Sequence, residues 1–133
     1  VVLGPDGAYY VGELTGGPFP VGGASVWRVL PGEDPTEYAS GLTNIMDLGF
    51  GPDGTLYVAE IVHEGLMPVF MGGDVAPIGA VMSVPPGGGV AEVFATGPEL
   101  MALGGLAIGD DGTIYVSANT LGTEGGTIVK ITP

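Results

Sequence analysis

The chain has 133 residues, of which 45% are hydrophobic, and its 15 acidic residues against two basic residues give a net charge of −13. A charge of this sign argues against nucleic acid and anionic membranes as partners, because phosphate contacts depend on Lys and Arg. The lack of cysteine excludes disulfides and zinc–thiolate centres, and no apolar run approaches the roughly 20 residues of a membrane span.

A turn motif occurs three times and leads each time into a short β-type segment. The copies start at Gly4, Gly51 and Gly109 and read Gly-Pro-Asp-Gly twice and Gly-Asp-Asp-Gly once. Pro presets φ for a turn, Asp accepts local backbone N–H bonds, and Gly adopts positive φ at low steric cost. The sequence therefore predicts a tight hairpin at each copy and an internal repeat.

Alignment on this turn predicts a unit of four strands, a to d. Strand a precedes the turn (1–3, 48–50 and 106–108), and strand b follows it (8–12, 55–59 and 113–117). Strand c ends near a proline (25–30, 80–84 and 127–131), and strand d comes shortly before a glycine (36–39 and 91–95). No strand d is predicted in the third copy.

Repeats of about 40–50 residues with four strands each are typical of β-propeller blades. We therefore predict an all-β fold of about three four-stranded antiparallel blades, covering approximately residues 1–41, 42–97 and 98–133. The recurring Tyr10, Tyr57 and Tyr115 suit packing between neighbouring blades.

Three blades are fewer than the roughly 4–8 with which propellers close. An arc of three would leave two apolar faces and unpaired strand edges open to water. We therefore expect further blades, either from copies of this chain in a homo-oligomer or from the rest of a longer or processed polypeptide. The start on Val1, without an initiator Met, favours the same expectation.

Acidic and amide residues follow the predicted strands at related positions. Glu13 and Glu60 end strand b in two copies, and Asn44 and Asp47 lie between strands d and a. In a propeller these connections emerge on one face, around the central channel. Their oxygens suit Ca²⁺ or another hard cation, so these four residues are candidate metal ligands. The alternative is that they cap loops by accepting backbone N–H bonds.

His63 is the only histidine, and it lies close to Glu60 and beside Glu64. A histidine near carboxylates can act as a general base or a ligand, although a loop histidine also serves as a surface or packing residue. No serine-nucleophile motif or phosphate-binding loop is present. We therefore assign no catalytic and no cofactor-binding residue.

The connection between strands b and c is longest in the second copy, at about residues 61–79, and contains Met67, Phe70 and Met71. Such an apolar loop either covers a channel mouth or a partner chain, or folds back on its own chain.

Four stretches of the sequence resemble a known group of proteins. They are YYVGELTGGPFP (9–20), VGGASVWRV (21–29), LTNIMDLGFGPDGTLYVAE (42–60) and VSAN (116–119). On these residues the chain resembles the NHL-type β-propellers and, more narrowly, the C-terminal half of the ScyD/ScyE family. The resemblance implies an exported propeller, extracellular or periplasmic, with no firmly assigned activity. The insertion at residues 67–79 departs from the family pattern.

Two functional hypotheses follow. The first is an exported, non-enzymatic propeller module that assembles with further blades. The second is a metal-dependent, lactonase-like hydrolase that uses Glu13, Asn44, Asp47 and Glu60, because similar-looking propeller lactonases hold a channel metal. A quinone-binding redox propeller is disfavoured, since two basic residues offer little to an anionic cofactor.

Overall fold

A computed structural model describes residues 1–133 and confirms the all-β prediction, with 47% of residues in strands and 3% in helix. The elements in chain order are β1 (Val2–Leu3), β2 (Tyr9–Gly12), β3 (Ala24–Val29), β4 (Thr36–Leu42), β5 (Ile45–Phe50), β6 (Leu56–Glu60), α1 (Met67–Phe70), β7 (Ile78–Val84), β8 (Gly89–Val90), β9 (Glu92–Met101), β10 (Leu106–Ile108), β11 (Ile114–Ala118) and β12 (Thr127–Ile131). The one helix, of four residues, falls far short of a membrane-spanning length.

The strands form three separate sheets, none of which is closed. The first has the order β1-β2-β3-β4-β8, the second β5-β6-β7-β9 and the third β10-β11-β12. Sequential neighbours pair antiparallel, while β8 adds to β4 in parallel. Strands a to d are thus present in the first two sheets and a to c in the third.

Two elements were not predicted. β8 pairs with a strand of another sheet, so no local periodicity marks it. Helix α1 lies in the long insertion and has Pro at its first turn, a position that proline tolerates because its missing N–H has no helical partner there. Strand d of the second copy also runs on to Met101, because Leu100 is buried in the core.

The predicted turn chemistry is confirmed at all three copies. One carboxylate oxygen of Asp6, Asp53 and Asp111 accepts the backbone N–H two residues ahead, at 3.2, 3.0 and 3.0 Å. The closing glycines, Gly7, Gly54 and Gly112, have φ of 80°, 85° and 81°. The pKa of Asp53 and of Asp111 is lowered mainly by these backbone bonds.

The second sheet packs between the other two, so its inner strand β6 is buried on both faces. Leu56 and Val58 join the core shared with the first sheet, whereas Tyr57 and Ala59 join the core shared with the third. All five residues of β6 are buried. Gly49 allows close approach, since a Cβ there would meet Leu106 Cδ2 at 3.2 Å.

The aromatic residues pack at these boundaries. The Tyr10 ring meets Phe50 of the second sheet edge-on, with ring centroids 4.8 Å apart. Tyr10 also contacts Tyr38, and Tyr57 contacts Phe94, in matching edge-to-face pairs. Tyr10 and Tyr57 are therefore buried where sheets meet, whereas Tyr115 is 42% exposed.

The loop Gly87–Gly89 joins the first two sheets through the main chain. It brings β8, which belongs to the second repeat, alongside β4, with Gly89 opposite Ala39. Gly88 has φ of 91°, and a Cβ there would lie 2.2 Å from the carbonyl oxygen of Tyr38. Only glycine fits this crossing without moving the backbone.

Replacement of Gly88 by Ala is expected to destabilise the protein by at least about 1 kcal/mol more than Gly87→Ala. Both glycines have positive φ, but a Cβ on Gly87 meets nothing within 4 Å. Gly87→Ala therefore isolates the cost of the left-handed backbone. Urea unfolding of the two variants measures the difference, and equal midpoints would show that the contact with Tyr38 does not constrain the loop.

Candidate functional site

A buried carboxylate, Glu60, lies at the end of β6. Its side chain is fully buried. Oε1 accepts a hydrogen bond from the backbone N–H of Thr43 at 2.7 Å, and Oε2 lies 2.5 Å from Nδ1 of His63. His63 is partly exposed, so the pair connects a buried carboxylate to the surface.

Burial dominates the electrostatics of this carboxylate. The pKa of Glu60 is raised, chiefly by desolvation, and the bonds from His63 and Thr43 offset only part of that effect. A carboxyl whose pKa is raised by folding stabilises the fold in its protonated form, and this contribution is lost as pH rises through the interval between its unfolded and folded pKa values.

Asn44 lies beside this pair and ties together two loops. Its Oδ1 accepts the N–H of Leu66 at 3.1 Å, and its Nδ2 donates to the carbonyl of Leu14 at 3.0 Å. Asn44 has φ of 45°, a left-handed conformation that asparagine adopts more readily than most residues. The neighbouring Thr43 Oγ1 accepts the N–H of Gly22 at 2.9 Å.

The other two predicted ligands are engaged elsewhere. Glu13 accepts hydrogen bonds from the backbone N–H of Ser25 at 2.8 Å and from Nε1 of Trp27 at 2.9 Å. Asp47 Oδ2 accepts the N–H of Leu106 at 2.8 Å and so links the second sheet to the third.

The arrangement does not provide one ligand set for a cation. Glu60 and Asn44 lie at a common end of the sheets, but Glu13 and Asp47 bond other partners, and no three His, Asp or Glu side chains form a group that could hold a metal. Every buried side-chain nitrogen and oxygen already has a hydrogen-bond partner. The four residues therefore fit a Ca²⁺ site poorly, and their hydrogen bonds match the alternative role of bonding backbone N–H groups.

The Met-rich insertion is partly folded back. Leu66 is buried with Ile61, Val62 and Ala102, and the ring of Phe70 packs on Phe19 with centroids 5.8 Å apart. The outer sides of Phe70 and Met71 remain exposed. The insertion thus rests on the corresponding connection of the first repeat.

A second polar group, around Asp6, was not predicted from the sequence. Asp6 Oδ2 accepts hydrogen bonds from Arg28 Nε at 2.8 Å and Tyr10 Oη at 3.0 Å, in an open depression of about 440 Å³. The bond from Arg28 is the main cause of the lowered pKa of Asp6. A signal existed, because the only basic residues, Arg28 and Lys130, pair with equivalent tyrosines, Tyr10 and Tyr115.

No protein-family model matches the chain, and no curated protein matches it significantly.

Glu60→Gln is expected to become more stable relative to the unmodified protein as pH rises from acid to neutral. Gln retains an acceptor for Thr43 N–H but cannot ionise, so it escapes the desolvation that raises the pKa of Glu60. Thermal melting of both proteins across pH measures the difference. Glu64→Gln, at an exposed position, is the matched control for removal of one charge.

A pH-independent difference between Glu60→Gln and the unmodified protein would contradict this account of the buried carboxylate. Glu60→Ala should cost about 1–3 kcal/mol at any pH, because it leaves the buried N–H of Thr43 without a partner.

Proposed function

We propose that the chain is a non-enzymatic β-propeller module of the ScyD/ScyE kind, exported to an extracellular or periplasmic setting, that works by assembling with further blades. The observation that supports this most is a difference between equivalent positions of the three repeats. Positions that are buried where two sheets meet are exposed on the outer sides of the first and third sheets.

The leading face is the outer face of the first sheet, defined by Tyr9, Val11, Trp27 and Val29, which pair across β2 and β3. Their counterparts in the second sheet all belong to the core that the first and second sheets share: Leu56, Val58, Met82 and Val84. Tyr9, by contrast, is 46% exposed. An apolar depression of about 580 Å³ opens on this face beside Trp27.

The trailing face is the outer face of the third sheet, defined by Ala107, Tyr115 and Ile128. Val26 and Val81 occupy the position of Ile128 in the other sheets and are fully buried, whereas Ile128 is 70% exposed. Complete burial of one such aliphatic side chain contributes about 1.5–3 kcal/mol. Both outer faces therefore gain from a neighbour.

The two faces are unlike each other but suited to each other. In both internal contacts, a tyrosine-bearing face meets a face of the leading type, as Tyr10 meets Phe50 and Tyr57 meets Ile114. Continuing the repeat would place a leading face against Tyr115. Such a head-to-tail contact produces a ring if it closes, and the added blades come from further copies or from the rest of a longer chain.

The polar residues support a structural role for the same reason. Side-chain oxygens of Glu60, Asn44 and Asp47 accept hydrogen bonds from backbone N–H groups of loops and strands within the chain. A lactonase-like site would need those oxygens gathered around a cation. The negative charge of −13 suits a solvated exported protein.

In solution the chain is expected to form species heavier than its own 13.2 kDa, and Tyr115→Glu should shift them toward the single chain. A carboxylate on the trailing face would have to be desolvated against apolar groups. Sedimentation equilibrium over a concentration series measures the mass. Leu121→Glu is the control, because it adds the same charge at an exposed loop position.

A folded monomer at all concentrations, with a melting temperature that Tyr115→Glu does not change, would contradict assembly through the trailing face. Equal loss of mass in Tyr115→Glu and Leu121→Glu would attribute association to net charge instead.

Chelation by EDTA is expected to leave the melting temperature unchanged, because internal hydrogen bonds already satisfy the candidate ligands. Elemental analysis before and after chelation accompanies the melts. A stoichiometric cation, lost together with stability in EDTA and absent from Glu60→Gln, would favour the hydrolase hypothesis over this proposal.

A further inference from the structure

The fourth strands of the first two sheets share a short motif. β4 contains Tyr38-Ala39-Ser40-Gly41, and β9 contains Phe94-Ala95-Thr96-Gly97. Each reads aromatic, Ala, Ser or Thr, Gly, and the glycine has positive φ in both, 75° and 156°. Sequences so alike at equivalent places indicate that the third strand of each sheet demands the same kind of neighbour.

The register of the fourth strand is also the same in both sheets. Val26 pairs with Ala39, and its counterpart Val81 pairs with Ala95. The next pairs are Trp27 with Glu37 and Met82 with Val93, so the aromatic residue is skipped as a bulge each time. The bulge delivers the aromatic ring to the tyrosine of strand b, at 4.8 Å from Tyr10 and 5.0 Å from Tyr57.

The third sheet has an equivalent third strand, β12, but no fourth strand beside it. β12 pairs only with β11, which leaves its outer edge open. Ile128 takes the place of Val26 and Val81, and Tyr115 takes the place of Tyr10 and Tyr57, yet both are exposed. An open edge and an exposed tyrosine therefore occur together where the other sheets have their fourth strand.

We propose that the open edge of β12 binds an extended peptide segment with the pattern aromatic-Ala-Ser/Thr-Gly, supplied from outside residues 1–133. The segment runs antiparallel to β12, with its Ala opposite Ile128 and its bulged aromatic ring against Tyr115. This inference rests on the proposed function, since it names the partner that completes the third sheet. Strand addition of this kind gains affinity from main-chain bonds and specificity from side chains.

The positive charge of Lys130 on β12 favours an acidic residue in the added segment. Lys130 occupies the position of Ser83, whose partner across the sheet is Glu92. The equivalent pair of the first sheet is Arg28 with Thr36, so both a polar and an acidic partner fit this position. Opposite Lys130 the acidic partner is preferred, because opposite charges across an antiparallel pair are favourable. The preferred segment thus carries an acidic residue two positions before the aromatic one.

The test uses the capped peptide Ala-Glu-Val-Phe-Ala-Thr-Gly, which copies Ala91–Gly97, titrated into the ¹⁵N-labelled full chain to about 1 mM. Amide shifts are expected at residues 127–131 and at Tyr115, with slowed hydrogen exchange along β12. The control peptide has Ser in place of Phe and should bind about tenfold more weakly, since it lacks the edge-to-face pair. The control leaves the protein itself unchanged.

Absence of shifts along β12, or equal binding of the two peptides, would overturn the inference. Shifts confined to another strand edge would do the same. The proposed function fails separately: a chain that stays monomeric by sedimentation yet binds the Phe peptide at β12 sustains this inference and rejects self-assembly through the faces. A chain that assembles, but whose β12 binds neither peptide, supports self-assembly through the faces and overturns the inference about β12.

Discussion

The fold depends on burial of one sheet between two others. Only the second sheet has neighbours on both faces, and its middle strand, β6, is accordingly buried at every residue. In the equivalent strand β11 buried residues alternate with more exposed ones, and in β2 only Tyr10 is buried, because each of these strands has a neighbour on one face only. Strand b, whose sequence changes little from repeat to repeat, is thus fully buried in the second sheet and partly exposed in the first and third, according to its position in the stack.

Polar side chains add hydrogen bonds between neighbouring sheets, near the ends of the strands. Asp47 of the second sheet accepts a backbone N–H from Leu106 at the start of the third. Glu60 does the same for Thr43, which lies between the first and second sheets. The equivalent of Asn44 in the third repeat is Ala102, which has the same φ of 45° but no side-chain hydrogen bonds to offer. Backbone conformation is therefore repeated more faithfully than the polar contacts around it.

The turns, most strands and the packing of Tyr10 and Tyr57 could be predicted from sequence, because each rests on local chemistry that recurs three times. β8 could not, since its pairing depends on a chain crossing between sheets. The candidate site was predictable only in part. Sequence placed Glu60 near His63 and grouped Asn44 with it, but the same reasoning included Glu13, whose bond to Trp27 comes from the cross-strand geometry of β3. The sequence shows where the acidic residues occur, whereas the tertiary structure decides which groups donate hydrogen bonds to them.

The crossing at Gly87–Gly89 has a consequence for how the molecule comes apart. Because β8 is hydrogen-bonded to β4 while its own chain continues into β9, the first two sheets cannot separate without breaking main-chain bonds as well as apolar contacts. No strand pairing of this kind joins the third sheet, whose strands pair only among themselves. Its main-chain link to the strands of the second sheet is the bond from the N–H of Asn119, directly after β11, to the carbonyl of Met101 at 2.7 Å. Local opening should therefore begin at the C-terminal hairpin, while residues 2–101 lose their structure together as one cooperative unit.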